Sequence, residues 1–249
     1  MPVSKYKCGL ESGNYVRLKK KLVVKDAKGK RVAVHNADEM WKVVNGSKEK
    51  PLVVWLRQPD GRLHTWDDNN SIFHWFELIP GDVFDVVNER DEVIDRKPRS
   101  EVHLFGLLHR AVHVLVFNAR GETFLQKRSM TKDREPGKWD SSTSGHLDSG
   151  EDYDACAVRE LREEIGLAVT KTPERLFKIA ARPETDQEFV WVYRCQAEGP
   201  FRLHPNEIER GDWFAPDKIT RWMTKNPDDF ASAFRFIWRK LNANALGKR

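Results

Sequence analysis

Along the chain, short apolar runs alternate with turn residues before any helical periodicity appears. Positions 21–34 place two apolar triplets on either side of Lys28-Gly29, which predicts a β-hairpin. A short helix is expected over 37–44 with Asn36 as its cap, and strands over 51–57 and 63–66 joined across Pro59-Asp60-Gly61. Turn chemistry at Ile79-Pro80-Gly81-Asp82 marks the expected boundary. Beyond it, 83–87 and 92–94 read as a hairpin around 88–91, 109–118 as a buried strand, and 121–127 as its return. A helix follows: Asp152 suits its N-cap, Ala155, Val158, Leu161 and Ile165 form an apolar stripe, and Gly166 suits a left-handed stop. Strands near 176–181 and 189–195 lead to a C-terminal helix from about Pro227, capped by Asn226, with Phe230, Phe234, Ile237, Trp238 and Leu241 on one side.

This order predicts two units: a small basic α+β module over 1–80 and a larger domain over 81–249 with a mixed sheet between helices. Composition changes the picture little. Apolar residues at 39% and charged residues at 33% fit a globular chain, with no apolar run long enough to span a membrane. Cys8, Cys156 and Cys195 are odd in number and widely spaced, and the first residues carry no signal-like apolar stretch, so a cytoplasmic protein is expected. Oligomeric state, a homodimer included, stays open.

Charge is unevenly placed. Residues 1–78 hold 15 Lys/Arg against 9 Asp/Glu, the remainder 28 against 29. A basic segment suits nucleic acid, yet scattered lysines more often serve solubility, so nucleic acid is not favoured as a partner. Trp41, Trp55, Trp66, Phe73, Trp75 and Phe76 read as module core rather than as a base-stacking platform.

The chemistry concentrates between Gly145 and Leu167. Glu160, Glu163 and Glu164 stand at i, i+3 and i+4, which gathers three carboxylates opposite the apolar stripe. Their repulsion is relieved by a hard divalent cation, and clustered oxygen donors suit Mg2+ or Mn2+. A solvated acidic helix face with ordinary Glu-Arg pairs is the alternative. Gly145, Glu151, Arg159, Glu160, Leu161, Glu163, Glu164, Gly166 and Leu167 fill every fixed place of Gly-x5-Glu-x7-Arg-Glu-U-x-Glu-Glu-x-Gly-U, U being aliphatic. Chance agreement in a chain of this length is on the order of 10⁻⁷.

That pattern resembles the Nudix box. The resemblance implies a Nudix fold, an α/β/α sandwich, and a metal-dependent hydrolase acting on a nucleoside diphosphate linked to another group, a small-molecule diphosphate substrate. By the same resemblance, Glu160, Glu163 and Glu164 with the Gly145 carbonyl hold the metal, Arg159 locks the glutamates, and Glu151 reaches back to Arg159 or to metal-bound water. The general base is a box glutamate or Glu207 in the 206–209 segment. Arg128, Arg110 and Lys127, with Arg99 and Lys132, are candidates to cradle phosphate.

Outside the box, Glu101-Val102-His103, Leu108-His109-Arg110-Ala111-Val112-His113, Gln126-Lys127-Arg128-Ser129, Pro136-Gly137-Lys138-Trp139-Asp140 and Gly145-His146-Leu147 resemble the isopentenyl-diphosphate isomerase-like branch. Those isomerases carry a catalytic cysteine just before this Gly-His, where this chain has Ser144. A hydroxyl, with its far higher pKa, is a poor proton carrier for that chemistry, and Cys156 is expected to sit on the helix away from Ser144. The branch also implies a metal site, here His103, His109 and His146 with Asp186 and Glu188, although histidines in an apolar strand such as His109 and His113 are more often core residues. The complete box favours hydrolysis. Isomerisation, or nucleotide or RNA sensing without catalysis, is the alternative.

Overall fold

The computed structural model describes residues 5–46, 53–79 and 81–246, so Pro51, Leu52 and Pro80, which belonged to the expected strand and boundary, lie outside the described residues. The chain forms two compact units, Met1–Val83 with Arg96–Arg99, and Phe84–Asp95 with Ser100–Arg249.

The smaller unit runs β1 (Tyr15–Leu18), β2 (Leu22–Lys25), β3 (Arg31–His35), β4 (Met40–Val44), β5 (Val53–Arg57), β6 (Leu63–Asp67) and β7 (Phe76–Ile79). An antiparallel sheet in the order β6-β5-β4-β1-β7 packs Val16, Leu18, Trp41, Val43, Leu56 and Phe76 into one core, and β2-β3 form a separate ribbon. The helix expected over 37–44 is instead strand β4. Trp41 and Val43 are buried around a half-buried Lys42, and pairing with β1 and β5 rewards this two-residue period. The helical stretch among the described residues of this unit is the 3-10 turn Asn70–His74.

The larger unit, apart from Val83 and Arg96–Arg99, which count with the smaller one, runs β8 (Val83–Val87), β9 (Val93–Pro98), α1 (Arg99–Leu104), β10 (His109–Phe117), β11 (Thr123–Arg128), β12 (Trp139–Asp140), β13 (Thr143–His146), α2 (Tyr153–Ile165), β14 (Glu174–Ile179), β15 (Glu188–Gln196), β16 (Ile208–Phe214), α3 (Pro216–Lys225) and α4 (Ser232–Leu246). Its sheet is mixed. β10 and β15 are parallel at the centre, β13 pairs antiparallel with the first half of β10, and β16 pairs with β11.

Alternation along β10 sets the layers. Val112, Val114 and Val116 pack with Leu161 and Ile165 of α2, whereas Ala111, Leu115 and Phe117 join the cluster of Ile219, Met223, Phe234 and Trp238 from α3 and α4. The result is an α/β/α sandwich. The last helix begins later than its periodicity suggests: Pro227–Asp229 is a 3-10 turn and the Asn226 side chain makes no cap hydrogen bond. Phe230 bridges to Trp139, and the Glu135 carboxylate accepts the Ser232 N–H at 3.0 Å, so a distant carboxylate caps α4. No helix among the described residues is long and apolar enough to cross a membrane.

Candidate active site

The Asp152 side chain accepts the Ala155 N–H, and Gly166 ends α2 at φ 70°. The buried side of the helix is Tyr153, Cys156, Ala157, Leu161 and Ile165, with Ala155 exposed and Val158 half-buried, so the stripe is rotated from the expected one. This rotation carries Glu160 and Glu164 inward, at 7% and 6% exposure, while Glu163 faces out. The three carboxylates therefore do not share one solvent side.

β13 makes room for them. A Cβ on Gly145 would stand 2.0 Å from Glu160 Oε1, so only a residue without a side chain lets the carboxylate lie against this strand. Arg159 stands at the centre of the cluster: its Nε and Nη2 donate to the two oxygens of Glu151 at 2.9 and 2.8 Å, and its Nη1 to Glu160 at 2.6 Å and Glu163 at 3.2 Å. Glu164 Oε2 accepts from Ser144 N and Gln126 Nε2, each at 3.1 Å.

Burial pushes the Glu160 carboxyl up to about 7 against the pull of Arg159. Glu164 is pushed well up, first by burial and then by the charge of Glu160. Burial opposes the charge on Arg159, but Glu151 and Glu160 outweigh it and keep the guanidinium protonated. Glu160 thus shares its one cation with Glu151 and Glu163, while Glu164 beside it is held by the neutral donors Ser144 N and Gln126, and two buried carboxyls so placed are the electrostatic condition a divalent ion satisfies.

A second cluster lies on the opposite face of the sheet. His146 stands across from Ala111 and Glu188 across from His109, so these side chains project away from α2, as does Ser144 two residues before His146. His103, His109 and His146 each offer a nitrogen within 4.8 Å of the others. Glu188 Oε1 is 2.9 Å from His146 Nε2 and 3.6 Å from His109 Nε2. His109 Nδ1 is 2.9 Å from the Leu107 carbonyl, which favours the tautomer with a free lone pair on Nε2. Nε2 of His103 and of His109 are buried with no hydrogen-bond partner. Desolvation lowers the pKa of His146 despite Glu188, and although burial disfavours its charge, Glu188 is held far below the usual carboxylate range by the histidines. Four donors of this kind suit a first-row transition ion. His103 Nδ1 lies 3.2 Å from Asp186 Oδ2, whereas His113 bonds Ser141 Oγ at 2.8 Å as a core residue.

The other candidates are distributed around this core. Glu207 pairs with Lys132, and its backbone carbonyl accepts from Ser129 N at 2.9 Å. Lys127 pairs with Glu209 at 3.1 Å and Arg128 with Asp140 at 3.2 Å. Arg110 is taken up by Asp91, 2.5 Å from its Nε, which also receives Tyr153 and Lys178. Its guanidinium anchors the β8–β9 turn, a structural task that the phosphate-cradle expectation did not include. Cys156 sits on α2 beneath the box loop, its Sγ 3.4 Å from the His146 carbonyl, on the face of the sheet opposite the Ser144 side chain, and burial pushes its thiol far up. Gln126 was missed, because a lone polar residue in a strand carries no signal until its partner across the fold is known.

The sequence profile of the NUDIX domain matches residues 107–234, just over half of the chain. The chain belongs to the Nudix family. This Nudix protein is 31% identical over 164 residues to a Nudix hydrolase of Yersinia pestis, covering 66% of this chain and 90% of the relative. The Nudix hydrolase YfcD of Escherichia coli is 32% identical over 64% of this chain and 87% of its own length. The isopentenyl-diphosphate Delta-isomerase of Serratia proteamaculans is 31% identical over 65% and 92%. The crystal structure of DR0079 from Deinococcus radiodurans superposes with a TM-score of 0.58 at 26% identity, covering 64% of this chain and 98% of that one. The domain and these relatives make the chain a Nudix hydrolase.

Proposed function

We propose that this Nudix hydrolase cleaves a diphosphate linkage in a nucleoside diphosphate joined to another group, and that it depends on Mg2+ or Mn2+. The observation that carries this reading is the buried Glu160–Glu164 pair against β13, in which Arg159 pairs with Glu160 while Glu164 is held by neutral donors, a cluster furnished with hard oxygen donors. Glu160, Glu163 and Glu164, with the Gly145 carbonyl, would hold the ion. When bound, such an ion neutralises charge on the phosphate oxygens and makes an attacking water more acidic.

The chain's own residues do the rest. Arg159, clamped by Glu151, fixes the direction of Glu160, and Gln126 with Ser144 N fixes that of Glu164. Glu207 accepts the water proton, and its partner Lys132 lies where it can take up negative charge from the substrate. Lys127 and Arg128 supply further cations once their carboxylate partners exchange for phosphate. His103, His109, His146 and Glu188 fit a separate, softer ion such as Zn2+.

The test is ³¹P NMR with Mg2+ and a pooled panel of nucleoside di- and triphosphates, nucleotide sugars, ADP-ribose, dinucleotides and isopentenyl diphosphate, beside Glu164→Gln. Loss of one diphosphate signal with the native protein alone supports the reading. Persistence of every signal refutes it. The histidine cluster, with Ser144 on its face of the sheet, favours isomerisation as a second reading, against which the serine hydroxyl weighs. Conversion of isopentenyl to dimethylallyl diphosphate in the same tubes would establish it.

A further inference from the structure

The β2-β3 ribbon of the smaller unit concentrates charge without compensation. Between Lys19 and Arg31 stand seven cations and one acid, Asp26, whose Oδ1 is used to accept the backbone N–H groups of Lys28 and Lys30 at 2.9 Å each. Lys19 reaches the Phe73 carbonyl and Lys20 lies over the Trp75 ring. Lys21, Lys25, Lys28, Lys30 and Arg31 are exposed and make no ion pair among the described residues.

The ladder itself adds a second observation. Lys25 stands directly opposite Arg31, a like-charge pair that weakens a two-stranded ribbon unless an anion lies between them. The two faces also differ. Leu22 and its partner His35 are buried, whereas Val23, between Lys21 and Lys25 on the outer face, and Val32, the extra residue at the bulge beside Arg31, are 42% and 56% exposed. Small aliphatic side chains between cations, on a ribbon two strands wide, match the width of the B-form major groove, where methyl groups meet thymine methyls and cations meet phosphates. Binding of a single strand calls for aromatic platforms, and this face carries none.

The geometry points to the β2-β3 ribbon as a docking surface for double-stranded DNA, held by the phosphate contacts of Lys21, Lys25, Lys28, Lys30 and Arg31. Five such contacts give a log–log salt slope of about −4.5, so affinity falls about 500-fold between 50 and 200 mM salt. The experiment is fluorescence anisotropy of the full chain with a labelled 20-base-pair duplex across that range. Single-stranded RNA and vesicles containing anionic phospholipid are measured in parallel. Replacing the tip cations (Lys28→Ala, Lys30→Ala and Arg31→Ala together) is expected to leave two contacts and only about a tenfold salt effect. Lys28→Arg with Lys30→Arg, which keeps charge and turn, is expected to bind like the native chain, and separates lost contacts from a lost fold. Absence of duplex binding, a triple variant that binds with the native slope, or tighter capture of RNA or vesicles would each overturn the assignment.

Discussion

Gly145→Ala adds a single methyl group where the site has no space for one. The glycine is absent from the positive-φ positions and lies in β13, so alanine suits its backbone and any effect is steric. The new Cβ would meet Glu160 Oε1 at 2.0 Å, Cδ at 2.2 Å and Oε2 at 2.7 Å, against an ordinary contact of 3.4 Å or more. Clearing it moves the carboxylate by about 1.4 Å, and Glu160 sits on a helix whose packing on the sheet cannot follow. The Arg159–Glu160 hydrogen bond at 2.6 Å breaks or drags the guanidinium off Glu151. Overpacking of this kind costs about 1–3 kcal/mol of stability, and displacement of a positioning group by about 1 Å costs about 10²-fold in rate. The assay is kcat at saturating substrate over a Mg2+ titration, with thermal unfolding of the same samples. We expect kcat to fall about 100-fold, the Mg2+ midpoint to rise, and the chain to remain folded. Native kcat with a native Mg2+ midpoint would refute the placement of Glu160 against this strand.

Three further outcomes follow from the same geometry. Glu160 and Glu164 are raised above the ordinary glutamate value of 4.5, Glu160 to about 7, so between those pH values the folded chain binds more protons than the unfolded one. Stability of the metal-free protein therefore falls as pH rises through that window, and the stabilisation by Mg2+ grows; flat thermal melts from pH 5 to 7.5 would contradict the burial argument. Asp91→Ala leaves Arg110 and Lys178 without their common partner at the β8–β9 turn, and should cost about 2–4 kcal/mol in urea unfolding with kcat at saturating substrate within about threefold of native. His109→Ala removes one of three clustered imidazoles, and elemental analysis should find tightly bound transition metal lost by about tenfold or more, whereas undiminished metal content would exclude His109 as a ligand.

The sequence by itself determined the box helix and its ends, because Asp152 and Gly166 act through local backbone geometry and the box spacing is a property of one helix. It also marked the central strands, since an apolar run such as 109–117 has few other uses. Tertiary pairing decided what local pattern left ambiguous. Positions 40–44 match helix and strand periods alike, and became β4 because β1 and β5 flank them. Only the structure decided which glutamates are buried: the rotation of α2 on the sheet follows from the fit of Cys156, Ala157 and Leu161 against β10 and β13, and it turned Glu160 and Glu164 inward. The histidine cluster draws on α1, β10 and β13, and Glu188 joins it through the parallel register of β15 with β10. Contacts between residues so far apart in sequence leave no periodic trace, and their energies exist only once the sheet has closed around them.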